Sequence, residues 1–256
     1  MIPPPCVSPI LSSSPHFQLT ASGLSLPASL PPASLNAALA AAASSLRASS
    51  LTGAWRSELL PVASSFSSFS SSPLAIERGA AGCFAARGFG VHVNGYVRGE
   101  GGEVRLWVAT RASDKGVCPG MLDHVVAGAI NSECRDPLET VVKECGEEAG
   151  IPPEIAGRAV AAGTVEYEGL DGWTREGTGR VVPEEQQGYK RDTLFCYDLE
   201  LPADFIPRPV DGEVGSFELM GLGEVRAAFE EGAAREFKGN CYPVVEGFLR
   251  RQGAWE

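Results

Sequence analysis

Residues 136–151 specify a helix together with both of its ends, and this segment most constrains the fold. Asp136 is a suitable N-cap, Pro137 suits the first helical position, and Glu139 completes a capping box. Gly150 predicts a left-handed end, and the two prolines that follow prevent the helix from continuing. Apolar residues at helical spacing predict one buried face. They are Leu138, Val141, Val142, Cys145 and Ala149.

The opposite face of this helix is acidic. Glu144, Glu147 and Glu148 stand at i, i+3 and i+4, so their carboxylates repel one another. Acidic groups in the last turn also oppose the helix dipole, at a cost of roughly 0.3–1 kcal/mol each. Lys143 is the single cation of the helix, and it precedes Glu147 in the weaker order. The pattern favours a bound divalent cation such as Mg²⁺; an ordinary solvated acidic face is the alternative.

Composition limits the classes of partner. A chain of 256 residues with 44% hydrophobic content suits one sizeable domain plus an appendage. The net charge of −11 argues against a nucleic-acid or membrane-surface partner. It is compatible with a phosphorylated small molecule, because a metal ion can supply positive charge locally.

The cysteines indicate reduced thiols. Seven cysteines form no CxxC pair, and the three histidines are scattered, so the sequence predicts neither a zinc site nor a disulfide framework. We expect Cys145 to be a small buried hydrophobe rather than a nucleophile.

The N-terminal part differs in composition from the rest. Residues 1–57 contain no Asp or Glu and are rich in Ser, Ala, Leu and Pro, so residues 1–33 are predicted to be a targeting or disordered segment. Residues 34–85 are predicted to form a small helical region followed by a Ser-rich linker at 64–72. Within it Ser34 can cap a helix that extends to about Ser50. Its apolar stripe is Leu35, Leu39, Ala42, Ala43 and Leu46.

Residues 86–256 alternate between strand and helix patterns. A hairpin with a Gly-rich turn is predicted over 88–108, and residues 168–188 are predicted to be a long loop. Further strands are predicted at 118–128, 159–167, 192–201 and 214–220, and further helices at 222–231 and 242–252. This order predicts an α/β domain in which a mixed sheet carries helices on both faces.

The segment 143–151 resembles the second half of the Nudix box, G-x5-E-x7-R-E-U-x-E-E-x-G-U, where U is apolar. Lys143 stands in place of the Arg, which retains the charge but loses the bidentate fork. Ala129 and Arg135 occupy the positions of the leading Gly and Glu.

Motifs outside the box extend this resemblance to about residues 34–256. They are similar to the Nudix subfamily related to thiamine pyrophosphokinase, which includes plastid-type hydrolases of plants. The motifs lie at 55–59, 90–96, 119–123, 126–128, 194–202 and 211–214, and the letters at 143–145 within the box are similar as well. The resemblance implies an α/β/α sandwich after a helical N-terminal region, which is shortened here. It also implies a chloroplast location; a cytoplasmic one is the alternative.

The resemblance implies hydrolysis of a diphosphate linkage with Mg²⁺ or Mn²⁺. Glu147 and Glu148 are then expected to bind the metal, with Glu144 as a ligand or base and Lys143 holding one Glu in place. Glu213 resembles a later carboxylate that serves as base or extra ligand, although a surface acid in a turn is equally compatible.

Positive and aromatic side chains are candidates for contact with the substrate. Lys190 and Arg191 could bind phosphate oxygens, although cations at a strand end are usually solvated. Tyr189, Trp107 and Trp173 could stack on an aromatic ring. His124 is predicted to be a satisfied core histidine rather than a base.

The resemblance also implies a substrate. This is thiamine diphosphate or an oxidised or damaged analogue, which is cleaved to the monophosphate and phosphate. An oxidised nucleotide diphosphate such as 8-oxo-dGDP is the alternative within enzymes. A diphosphate-binding module without turnover is the alternative outside them, and Ala129 with Arg135 motivates it.

Overall fold

The computed structural model describes residues 2–21, 23–63, 65, 67–115, 117–171, 188–230 and 233–255. The chain forms two compact units, each assembled from three segments. The first comprises Met1–Phe89, Ile130–Arg135 and Glu166–Thr193, and the second comprises Gly90–Ala129, Asp136–Val165 and Leu194–Glu256. The division into domains at 1–33, 34–85 and 86–256 stays a prediction. Among the described residues, no helix has the length and apolarity that crossing a membrane requires.

The first unit contains two helices, two short hairpins and a 3-10 helix. The helices are α1 (Pro4–Ser13) and α2 (Pro32–Ala48), and the 3-10 helix is Arg78–Phe84. Antiparallel pairing joins β1 (Gln18–Thr20) to β2 (Gly23–Ser25) and β3 (Leu59–Pro61) to β4 (Ala75–Glu77).

Helix α2 confirms the predicted N-terminal helix and corrects its start. The helix begins at Pro32, and Pro31 occupies the N-cap position without a side-chain hydrogen bond. Ser34 is therefore not the cap, since Pro32 already has the fixed φ that suits a first helical residue. The predicted stripe is buried except at Leu35, which is half-buried. Its buried members are Leu39, Ala42, Ala43 and Leu46.

Two predicted flexible segments contain ordered, buried side chains. Cys6 and Ile10 of α1 are buried in one apolar cluster with residues of α2, so the disordered alternative does not describe residues 4–13. The targeting alternative stays a prediction. In the Ser-rich tract, Phe69 is buried and its ring stacks on Phe89 with centroids 4.6 Å apart. Burial of an aromatic ring fixes that part of the predicted linker.

A seven-stranded sheet consists of β5 (Arg87–Arg98), β6 (Val104–Arg111), β7 (Leu122–Asp123), β8 (Val126–Ala129), β9 (Val160–Asp171), β10 (Gly188–Glu200) and β11 (Val214–Gly221). The strand order is β11-β6-β5-β10-β9, with β7 paired to β6 and β8 paired to β5. The helices after β8 are α3 (Pro137–Ala149), α4 (Pro153–Ala156), α5 (Leu222–Ala227) and α6 (Tyr242–Arg251). The predicted loop 168–188 is strand at both ends, and residues 172–187 lie outside the described chain.

The sheet is mixed, as predicted. Strand β5 pairs antiparallel with β6 and β8. Across β5 and β10, Asn94 bonds Asp198 and Tyr96 bonds Glu200, both at a sequence separation of 104. A constant separation means that the two strands run in the same direction. The fold is therefore α/β, with a mixed sheet flanked by helices.

Helix α3 begins and ends where the sequence predicts. Asp136 accepts hydrogen bonds from the amides of Leu138 at 2.8 Å and Glu139 at 3.0 Å. Gly150 ends the helix in the left-handed region with φ 63°. The cap therefore satisfies two amides that the first helical turn would otherwise leave without a partner.

The buried face of α3 is rotated from the predicted stripe. Val141, Cys145 and Ala149 are fully buried, whereas Leu138 is 37% exposed. Glu148 is only 7% exposed and belongs to the inner edge of the helix. The spacing of apolar residues does not predict the burial of Glu148, because a carboxylate does not contribute to a hydrophobic pattern.

Replacement of the cap tests the local origin of α3. We expect Asp136→Ala to lower the free energy of unfolding by about 1 kcal/mol, because two helix amides lose their acceptor. Asp136→Asn keeps an acceptor oxygen and serves as the control, with most of the stability retained. Urea denaturation measures both, and equal stability of the Ala variant and the wild type would contradict the capping role.

Candidate metal centre

Glu148 lies on the inner side of α3 and is anchored by strand β8. The backbone amide of Ala127 donates a hydrogen bond to Glu148 Oε2 at 3.0 Å. Burial raises the pKa of Glu148 well above its ordinary value, and the negative charges of Glu144, Asp123 and Glu213 raise it further. A bound cation would relieve both effects, because each of them disfavours the charged carboxylate.

Glu144 packs against the backbone of β8 at Gly128. A Cβ atom at Gly128 would stand 2.4 Å from both Cγ and Cδ of Glu144. A larger residue at this position would therefore force the Glu144 side chain out of its present place. The Glu144 side chain is 15% exposed, so it reaches the surface beside its buried neighbour on the next turn.

Lys143 forms ion pairs with two of the acids. Its Nζ lies 3.1 Å from Glu144 Oε1 and 2.8 Å from Glu147 Oε2. Burial alone would lower the pKa of Lys143, but the hydrogen bonds to Glu147 and Glu144 outweigh it and the pKa is raised. The Lys143 ammonium therefore links the mostly buried carboxylate of Glu144 to that of Glu147, whose side chain is 53% exposed.

Glu213 shares a small polar cleft with Glu148. Lys115 pairs with the Glu213 carboxylate, with Nζ 2.6 Å from Oε2. The cleft is lined by Ala109, Arg111, Asp123, His124, Ala127, Glu148, Glu213 and Val214. The structure thus brings Glu213, which directly precedes β11, into one cleft with Glu148, although the two residues are far apart in the chain.

A buried ion-pair network behind the cleft was missed by the sequence analysis. Asp123 Oδ2 lies 2.8 Å from Arg111 Nη1 and 2.7 Å from Lys238 Nζ. Burial would raise the pKa of Asp123, but Lys238 and the neighbouring imidazoles hold it well below its usual range. The three residues belong to different elements, so their sequence spacing gave no signal of the contact.

Several other predicted positions lie in the first unit. Lys190 Nζ is 3.6 Å from Asp192 Oδ2, and Arg191 Nε is 3.3 Å from Glu168 Oε2. Their contact with phosphate stays a prediction.

Arg135, at the leading Glu position of the box, donates from Nε to the carbonyl of Ser132 at 3.0 Å and from Nη1 to nearby carbonyls. This arginine therefore holds a loop.

The three aromatic residues that were candidates for stacking on a ligand lie in different places. Trp107 is buried in β6 with 8% exposure, and Tyr189 is half-buried in β10. Trp173 lies outside the described residues. Stacking of any of them on a ligand stays a prediction.

Carboxylates dominate the site, and their oxygens are the ligands that hard divalent cations prefer. The charges of Glu144 and Glu213 act on Glu148, and Glu147 is exposed at the edge of the group. The residues present therefore fit a Mg²⁺ or Mn²⁺ ion, which commonly binds through one or two carboxylates and keeps the remaining positions for water and phosphate.

Two curated plant proteins are similar to this chain in sequence. No family model matches the chain. Over 202 residues the chain is 44% identical to Nudix hydrolase 20, chloroplastic, of Arabidopsis thaliana, covering 77% of this chain and 48% of the relative. Over 201 residues it is 41% identical to Nudix hydrolase 24, chloroplastic, of the same plant, covering 77% and 49%. The chain thus spans about half the length of the curated relatives it matches.

Solved structures are more distant. The Nudix domain of Shewanella oneidensis NrtR, complexed with ADP ribose, aligns with a TM-score of 0.45 and 15% identity. The alignment covers 65% of this chain and 89% of that structure. The MutT protein of Methanosarcina mazei aligns with a TM-score of 0.43 and 18% identity, covering 65% and 95%.

Two glycine substitutions test the contact between α3 and β8. We expect Gly128→Ala to lower the free energy of unfolding by about 1–3 kcal/mol, because the new methyl group overlaps Glu144. Gly146→Ala on α3 is the matched control, since a Cβ there meets nothing within 4 Å. It should stabilise the protein by about 0.5–1 kcal/mol through helix propensity. Thermal unfolding measures both, and an unchanged Gly128→Ala variant would contradict the close approach.

Proposed function

We propose that this chain, for which its curated relatives support membership of the Nudix hydrolase family, hydrolyses a diphosphate linkage in a small molecule. The observation that carries the proposal is the cluster of carboxylates at one cleft. Glu148 is buried there against the amide of Ala127, and the charges of Glu144 and Glu213 act on it. A buried group of like charges is costly unless a cation compensates it.

Glu144, Glu147 and Glu148 would hold the cation, either Mg²⁺ or Mn²⁺. When bound, such an ion neutralises diphosphate charge and lowers the pKa of a water ligand. Lys143 orients Glu144 and Glu147 through its two ion pairs. Glu148 is fixed by its hydrogen bond to β8, so its carboxylate is positioned before a substrate arrives.

Proton transfer from the attacking water requires a base within reach of the cleft. Glu144 and Glu213 are the candidates, and both are partly exposed, at 15% and 48% of the side chain. Lys115 pairs with Glu213, with Nζ 2.6 Å from Oε2, and so orients this carboxylate. Lys190 and Arg191 are proposed to bind phosphate oxygens.

The proposed substrate is thiamine diphosphate or an oxidised analogue, and the products are the monophosphate and phosphate. Similarity of the motifs outside the box to the thiamine-pyrophosphokinase-related subfamily supports this choice. The similarity to the two Arabidopsis relatives extends across 77% of this chain. Because both relatives carry "chloroplastic" in their names, we also propose a plastid location.

Substitution of the acids tests the proposed function. We expect Glu147→Gln and Glu148→Gln to lower Mg²⁺-dependent phosphate release from thiamine diphosphate or its oxidised analogues by roughly 100-fold or more, because each removes a charged metal ligand. Glu139→Gln, in the exposed first turn of the same helix, should keep wild-type turnover.

A substrate screen of the wild type separates the alternatives. Release of phosphate from oxo-thiamine or thiamine diphosphate supports the proposed substrate, whereas turnover of 8-oxo-dGDP alone transfers the activity to oxidised nucleotides. Binding of diphosphates without product over long incubation would contradict the enzymatic proposal. Full turnover by Glu148→Gln would contradict the metal assignment.

A further inference from the structure

Two imidazoles and a thiol meet in the interior of the second unit. Donor atoms of His92, His124 and Cys241 lie within 4.8 Å of one another, and all three side chains are buried. They come from β5, from the segment between β7 and β8, and from the 3-10 helix before α6. No two of these residues are close in the chain, so their spacing predicts no zinc site and the fold alone creates the cluster.

A chain of hydrogen bonds determines which nitrogen of His124 carries the proton. Arg251 donates to both carboxylate oxygens of Asp198, at 2.8 and 2.9 Å. Asp198 Oδ1 accepts from Asn94 Nδ2 at 2.9 Å, which turns the Asn94 carbonyl toward His124 Nδ1 at 3.1 Å. A carbonyl oxygen only accepts, so Nδ1 carries the hydrogen and Nε2 presents a lone pair.

That lone pair has no hydrogen-bond donor within the described part of the chain. His124 Nε2 is fully buried, and His124 as a whole is 4% exposed. Buried polar atoms nearly always have a partner, so a buried nitrogen without one calls for a ligand. The prediction of a satisfied core histidine is therefore correct at Nδ1 and wrong at Nε2.

His92 and Cys241 supply the other two donor atoms of this cluster. The rings of His92 and His124 have centroids 4.6 Å apart and meet edge to face at 62°. Cys241 Sγ donates to Asp123 Oδ1 at 3.0 Å. Arg111 and Lys238 both pair with the other oxygen of Asp123, while Oδ1 accepts from the backbone amide of His124 at 2.9 Å as well as from the thiol.

We propose that His92, His124 and Cys241 bind one Zn²⁺ or a similar transition-metal ion through ligands other than the α3 carboxylates, although His124 also lines the cleft that contains Glu148. Imidazole and thiolate ligands select zinc and cobalt rather than magnesium, which prefers oxygen. The Asn94 carbonyl that accepts from His124 matches the usual second partner of a metal-bound histidine. Neither this site nor its test depends on the proposed hydrolysis.

Charge balance at the site requires release of a proton. Burial, together with Asp123, raises the pKa of Cys241 well above its ordinary value, so the residue is a thiol in the metal-free protein. Metal binding replaces the S–H hydrogen with an S–metal bond, and the proton passes to solvent. Lys238 opposes a bound cation, whereas the carboxylates of Asp123 and Asp198 favour one.

Cobalt binding to the full chain tests the proposal, with Mg²⁺ in excess so that the acidic cluster is occupied. We expect wild-type protein stripped with a chelator to bind one equivalent of Co²⁺ and to develop a near-ultraviolet thiolate-to-cobalt band. Asn94→Ala should weaken Co²⁺ binding by roughly 10- to 100-fold, since His124 loses the partner that fixes its tautomer.

Matched cysteine variants locate the bound ion. Cys241→Ala should lose the band, whereas Cys196→Ala, which removes another buried cysteine, should keep it. X-ray absorption of the zinc-loaded wild type needs no variant and should show sulfur and imidazole ligands. Absence of the band in the wild type, its persistence in Cys241→Ala, or a shell without sulfur would overturn the proposal.

Discussion

The contact between the C-terminal half of α3 and strand β8 positions two of the acidic side chains of the second unit. Ala127 donates its amide to Glu148, and Gly128 leaves room for Glu144 because it has no side chain. These two backbone features place one carboxylate in the interior and the other at the edge of the cleft. The acids are therefore positioned by strand backbone, which is more rigid than a surface loop.

This arrangement is unfavourable for the chain alone. Glu148 is buried among other acids, and it stands in the last turn of a helix whose dipole disfavours negative charge. Lys143 compensates Glu144 and Glu147 from the outer side. A divalent cation on the inner side would complete the compensation, so the same strain that costs stability in the metal-free protein favours metal binding.

Local signals in the sequence predicted the parts of the structure that depend on neighbours in the chain. The cap at Asp136 and the end at Gly150 were predicted because capping involves residues within one helical turn. The burial of Glu148 in place of Leu138 was not, because it depends on which strand lies beside the helix. The Ser34 cap was wrong because a proline pair set the helix start earlier.

Contacts between distant segments account for what the sequence could not predict. Asp123 pairs with Lys238 at a separation of 115 residues, and the motif at 119–123 that ends in Asp123 does not indicate this partner. The grouping of His92, His124 and Cys241 likewise depends on strand pairing and on the position of α6. The spacing of residues along the chain carries no information about such contacts. The box resemblance gave Glu144 and Glu148 as candidate ligands, and their role in metal binding stays a prediction.

Divalent-cation binding to the metal-free protein tests the role of the α3 acids most directly. Mn²⁺ titration followed by electron paramagnetic resonance counts bound ions without requiring a substrate. The wild type should bind Mn²⁺, and Glu148→Gln should bind it at least about tenfold more weakly, since one carboxylate ligand is lost. Equal Mn²⁺ affinity in the two proteins would show that Glu148 is not a ligand and that the buried acid serves the fold alone.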